Sequence, residues 1–131
     1  MCMASNGHSL WHPLASHEVV MKVVFSSIIP FRGFLAVTLW PFIFVRRKVA
    51  GRFTAVTNRH EHIHGRQQVE MLVLPFFLWY LIEWILRLVI LRDSKQAYRS
   101  ISFEQEAYAN EGDATYLVNR RPYAWLRYLF K

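Results

Sequence analysis

The chain has 131 residues, 53% of them hydrophobic and 16% aromatic, with 16 Lys plus Arg against 9 Asp plus Glu. That length suits one compact domain rather than two, and that apolar content excludes a disordered chain. The net charge of +7 calls for an acidic partner. With no RNA-recognition or zinc-finger spacing in the chain, membrane lipid is the expected partner and nucleic acid is not.

Residues 1–17 contain Ser, Asn, Gly, Pro and the scattered His8, His12 and His17, and read as a flexible leader without the basic start and apolar core of a secretory signal. Met21-Lys22 reads as a second candidate start, which an intact mass of native protein would test. Cys2 is the sole cysteine, so no intrachain disulfide forms and any metal must rest on His and carboxylates, the ligand set of catalytic zinc. Residues 18–131 are expected to form one domain. Val19 to Ile29 is apolar but too short to span a bilayer. Phe31-Arg32-Gly33 reads as a turn. Phe34 to Val45 is rich in aromatic and β-branched residues and reads as one or two strands, with Pro41 forcing an edge or corner.

Thr57 or Asn58 is expected to cap a helix from about Arg59 to Val73. Pro75 lacks a donor and clashes one turn back, so it should stop or kink that helix near Leu74. A second helical stretch, Phe76 to Leu91, follows. Met71 to Leu91 is the most apolar part of the chain, yet it contains Glu83 and Arg87. These are four apart on a helix and can pair, and in lipid the pair would need a protein or aqueous face. A membrane-embedded or interface-lying helix hairpin is expected; the rival is a buried helix of a soluble domain. Asp93 to Ser100 reads as a polar connector. Ser102-Phe103-Glu104-Gln105 fits a capping box, opening a helix to about Asn110. Ala114 to Lys131 reads as a last helix whose aromatic and basic residues suit a headgroup layer.

The central signal is His60-Glu61-His62-Ile63-His64, which satisfies H-E-x-x-H. Positions four apart share a helix face, so His60 and His64 can reach one metal, with Glu61 near enough to act as base toward a water. His62 points away, so the three imidazoles cannot close on one ion while the helix holds; a loose nickel or copper site or a merely His-rich surface are the rival readings. A third ligand must come from elsewhere. Glu104 and Glu106 are two apart on a helix and face different ways, so at most one of them should bind. Gln67 falls seven residues after His60, back on the same face, where it could orient the site or a substrate carbonyl.

The H-E-x-x-H helix followed by a later helix resembling Glu-x-x-Ala-Asp is similar to the gluzincin metallopeptidases, especially their membrane-embedded branch. That resemblance implies a zincin-like fold, zinc as cofactor, His60, His64 and a later Glu as ligands, and Glu61 as base. Glu106-Ala107-Tyr108-Ala109-Asn110 is the better match, with Asn110 where the branch has Asp, and it makes Glu106 the expected third ligand. The frame beginning at Glu104 puts Tyr108 at that position. Over most of residues 28 to 130 the chain also resembles a group of small Bacteroidetes-type proteins. That likeness rests on Ile29-Pro30-Phe31-Arg32-Gly33, Phe44-Val45-Arg46, the His60–His64 motif, Gln67-Gln68, Phe77-Leu78-Trp79-Tyr80, Glu83-Trp84 and Ile101 to Glu111. It implies no activity beyond a peptidase.

The expected fold is therefore α+β and mostly helical, with a small β-hairpin near residues 34–48 beside the zincin-like helix and apolar membrane-associated helices. The expected function is zinc-dependent hydrolysis of a peptide or protein substrate at a bacterial inner membrane. By analogy with strand addition, Phe42 to Val45 is the expected edge for an extended peptide. The rivals are a membrane-associated protein whose zinc only staples helices, and a metal-free lipid-binding protein.

Overall fold

The computed structural model describes residues 2–3, 21–30 and 33–131. The leader expected over 1–17 lies outside the described residues except for Cys2–Met3. Among the described residues the architecture is α+β and mostly helical: four strands, then five α-helices, with 3₁₀ segments at Arg47–Arg52 and Ala124–Tyr128.

The strands are β1 (Cys2–Met3), β2 (Lys22–Ser26), β3 (Phe34–Leu39) and β4 (Phe42–Arg46). They form one sheet in the order β1-β3-β4-β2, in which β3 and β4 make an antiparallel hairpin and β2 runs parallel to β4. The expected hairpin is present, and its corner is at Trp40-Pro41. Gly33, at φ +93, opens it in a conformation that side chains resist. The edge assignment is corrected: β4 lies inside the sheet between β3 and β2, so Phe42 to Val45 offers no free edge. Met21, Leu35, Ala36, Ile43 and Val45 are buried together beneath Val49, Ala50 and Phe53 of the following segment, which fixes the register of the hairpin through its apolar face.

Helix α1 (Ala55–Met71) begins four residues before the expected Arg59, and neither Thr57 nor Asn58 is its cap. Thr54 is the cap and accepts from the Thr57 amide. Its end is also earlier than expected, at Leu72, which has φ 59. The reason is Pro75. Its missing amide would have bonded the carbonyl of Met71, and its ring would clash there, so the chain leaves helical geometry at Leu72. Pro75 then sits in the first turn of α2 (Val73–Leu91), where helices need no internal donor. The second helical stretch is present and begins three residues before the expected Phe76.

Helix α2 is long and apolar enough to cross a membrane, with mean hydropathy 1.9 and only 11% of its apolar window buried. Its inward stripe carries Phe76 and Glu83. The outward face exposes Leu74, Leu78, Leu81, Leu86, Val89 and Ile90. Glu83 and Arg87 pair as the four-residue spacing predicts, at 2.9 Å, on the protein side of the helix.

The segment read as a connector is a helix, α3 (Ser94–Ser100), capped by Asp93 through the amides of Lys95 and Gln96. Helix α4 (Ser102–Asn110) follows. Its expected capping box does not form, because the Ser102 amide and hydroxyl both donate to the Glu83 carboxylate, at 2.7 Å each. Gln105 instead donates to the Ser100 carbonyl. A buried carboxylate needs donors more than an amide at a helix start needs a cap. The final stretch is not one helix: α5 (Tyr116–Asn119) is short, and Pro122 separates it from the 3₁₀ turn at Ala124–Tyr128. Phe76, Ile101, Phe103 and Trp125 form the core that joins α2, α4 and this turn.

Candidate metal centre

Helix α1 carries His60, Glu61 and His64 at the centre of the molecule, and each is fully buried. The other wall is α4. Its rotation about its own axis decides which acid faces the imidazoles, and it presents Glu104. Glu104 Oε1 lies 2.9 Å from His64 Nε2 and 3.4 Å from His60 Nε2, and the two Nε2 atoms are 3.1 Å apart. With zinc-ligand bonds of about 2.0–2.1 Å, the ligand atoms of a tetrahedral site stand about 3.3 Å from one another. The three atoms thus already stand at the edges of such a tetrahedron, and His60, His64 and Glu104 could hold a metal ion.

Glu106, the third ligand expected from the family resemblance, is not brought to the two histidines. Its carboxylate accepts from Gln67, Tyr116 and Arg120, at 2.8, 2.8 and 2.5 Å. Arg120 also pairs with Glu70. Arg120 is nearly fully buried, so these two carboxylates compensate its charge and hold its pKa above the usual arginine value against the opposing effect of burial. Residues 104 and 106 are about 200° apart around a helix of 3.6 residues per turn. Gln67 and Arg120 hold Glu106 toward the Glu70 end of α1, which leaves Glu104 to face His60 and His64.

Both imidazoles are oriented through their second nitrogen. His64 Nδ1 lies 2.7 Å from Gln67 Oε1, and the Gln67 amide donates to the Phe103 carbonyl and to Glu106. Gln67, which by its spacing could orient the site or simply lie on the helix surface, is buried against His64. His60 Nδ1 lies 2.7 Å from Glu111 Oε2, and Arg59 donates to the Glu111 carbonyl. A carboxylate thus supports His60 although Asn110 replaces the expected Asp. Asn110 itself donates back to the Glu106 carbonyl and to Tyr128. Such partners orient the rings and leave both Nε2 atoms facing Glu104.

Burial alone would lower the pKa of His60, but the Glu104 and Glu111 carboxylates outweigh it and raise it to about 9. Burial likewise opposes ionisation of Glu104, yet the neighbouring His64 and the hydrogen bonds from both imidazoles hold its carboxyl well below the usual range. Both shifts favour a proton shared between the imidazoles and Glu104, and a metal cation held there would take that proton's place.

Glu61 lies beside this cluster. The Thr38 hydroxyl of β3 is 2.5 Å from Glu61 Oε2 and 3.0 Å from the Glu61 main-chain oxygen. Gln68 clamps the same strand, donating to the Thr38 carbonyl and accepting from the Trp40 amide. His62 turns away, its Nδ1 2.8 Å from the Asn58 carbonyl, as the helix phase requires. Tyr98 donates to Glu104 at 3.1 Å and also contacts Tyr108. Burial, then the charge of Glu104, raises its pKa well above the usual phenol value, so it remains a donor. Thr38 and Tyr98 had no recognisable signal in the sequence, since each comes from a different element with no spacing that links it to the motif; Glu111 lay at the end of the acidic stretch that offered ligands, and spacing alone did not show that it would meet His60 Nδ1. No protein-family model, curated protein or solved structure matches the chain.

Proposed function

We propose that this chain is a zinc-dependent peptidase held at a membrane by α2, in a bacterial inner membrane, with His60, His64 and Glu104 as ligands. The observation that carries the reading is the convergence of two Nε2 atoms and one carboxylate oxygen at tetrahedral spacing, with a second carboxylate, Glu61, close enough to act on His60 electrostatically. Two imidazoles and a carboxylate leave one coordination place open, which distinguishes catalytic from closed structural zinc sites. A bound zinc would supply Lewis acidity, polarising a peptide carbonyl and acidifying water. The chain's own part is then to handle the proton. Glu61 accepts it from the attacking water and returns it to the leaving amine nitrogen as the C–N bond breaks. Thr38 holds the Glu61 carboxylate in place for both transfers, and Gln67 and Glu111 keep the imidazoles facing inward.

A second reading is favoured by one fact: the three ligand residues are 0% exposed. A metal there could simply staple α1 to α4. The two readings separate on Glu61→Gln in protein purified without a histidine tag, assayed for bound metal and for cleavage of a fluorogenic casein. The peptidase keeps its zinc and loses cleavage. Identical behaviour of the variant and the wild type in both measurements would leave only the staple. Absence of stoichiometric metal from the wild type after incubation with zinc would remove both readings.

A further inference from the structure

The outward face of α2 ends at a cleft of about 420 Å³, where Leu91 meets Lys95, Arg99 and Lys131. Three cations converge there, and no Asp or Glu side chain lines the cleft. Among the described residues none of the three takes part in an ion pair; Arg99 stacks on the Tyr108 ring at 4.1 Å and Lys131 lies over Tyr128 at 5.1 Å. The main-chain oxygen of Lys131 is held by Gln105 at 3.4 Å, and even counting a carboxylate at that position the cleft has an excess of positive charge. Gln96 and Ser100 add polar groups to the wall.

We propose that this cleft binds the phosphate of an anionic phospholipid whose acyl chains lie along the exposed face of α2. Two observations of different kinds point to one ligand. The three exposed cations, with no acidic side chain among them, together attract an anion. The surface leading into the cleft is hydrocarbon: Leu86, Val89 and Ile90 are 59%, 70% and 76% exposed, on the last two turns before Leu91. A free phosphate would use the first feature and ignore the second. An apolar ligand would use the second and leave the cations unmatched. A phospholipid with net negative charge satisfies both. At about 1.5 Å per residue the 19 residues of α2 extend about 28 Å, close to a bilayer's hydrocarbon thickness, so an α2 that crosses a bilayer puts the cleft at headgroup depth. The cleft lies apart from the His60–His64–Glu104 cluster, so the inference rests on the membrane half of the proposed function and not on the metal.

The test uses the full chain in a neutral detergent, titrated with phosphatidylglycerol or phosphatidylcholine, with retained lipid counted by native mass spectrometry. One phosphatidylglycerol should be retained at a concentration at least tenfold lower than phosphatidylcholine. Lys95→Ala and Lys131→Ala should each weaken its retention about fivefold, the worth of one basic side chain near an anionic surface. Lys48→Ala, an exposed cation elsewhere, should leave it unchanged. Equal retention of the two lipids overturns the cleft assignment, as does an equal loss in Lys48→Ala, which would mean diffuse attraction. Saturation by inorganic phosphate alone, with no preference for the lipid, assigns the cleft to free phosphate and overturns it too. Flotation with neutral phosphatidylcholine vesicles reports separately on α2: a chain that floats but shows no anionic preference loses only the cleft, whereas one that does not float loses the membrane reading as well.

Discussion

Exchanging Glu104 and Glu106 separately for Gln tests the site most directly, because both acids are fully buried two residues apart on one helix. Glu104 Oε1 is itself one of the converging atoms, 2.9 Å from His64 Nε2. Glutamine there removes the negative charge and one of three ligands. Glu106 is two hydrogen bonds removed from the metal position: it accepts from Gln67 at 2.8 Å, and Gln67 faces His64 Nδ1 at 2.7 Å. Partners at that remove typically change metal affinity by about 10- to 100-fold, or about 1.4–2.7 kcal/mol. Glu106→Gln should stay inside that window, and Glu104→Gln should lose more than about 100-fold. The assay is competition for zinc against a chromophoric chelator, with metal content by mass spectrometry and the helical circular dichroism signal as a check on folding. A Glu106→Gln protein that loses zinc while Glu104→Gln retains it would refute the assignment of Glu104.

The remaining predictions follow from the same geometry. Arg120→Leu leaves Glu106 buried without its cation and should cost about 3–5 kcal/mol of stability, seen as a lower thermal midpoint; an unchanged midpoint would show that the Glu70–Arg120–Glu106 network is not structural. Thr38→Val frees Glu61 from its positioning hydroxyl and should lower cleavage about tenfold or more, given about 1.5–3 kcal/mol for a hydrogen bond to a charged group, with zinc content unchanged. In the metal-free protein the His60 pKa of about 9 lies above its unfolded value, so its stabilisation is complete below about pH 6.5 and is lost as pH rises through about 9. The loss should total about 3 kcal/mol, and it should vanish in His60→Gln; equal stability of apo protein at pH 6 and pH 9.5 would contradict the ion pair. Because zinc must displace that proton, its apparent affinity should rise over the same range, which titration at several pH values would check.

The amino-acid sequence by itself determined what depends on neighbours within a turn or two. His60 and His64 share a face because helix geometry places positions four apart together. Glu83 and Arg87 pair for the same reason, and the β-branched and aromatic run from Phe34 to Val45, broken at Pro41, encodes the hairpin. Pro75 encodes the break between α1 and α2, although its effect falls a turn earlier, where the clashing carbonyl lies. Only the tertiary structure decided the choice between Glu104 and Glu106. Both sit in one short helix, and its rotation is set by Arg120, beyond the end of that helix, and by the packing of Ile101, Phe103 and Ala107. It likewise decided that Ser102 serves Glu83 rather than its own helix, that β4 is internal, and that Thr38, Tyr98 and Glu111 meet the motif. Those outcomes turn on which buried polar group finds a partner across a long loop of chain, and local spacing holds no information about that competition.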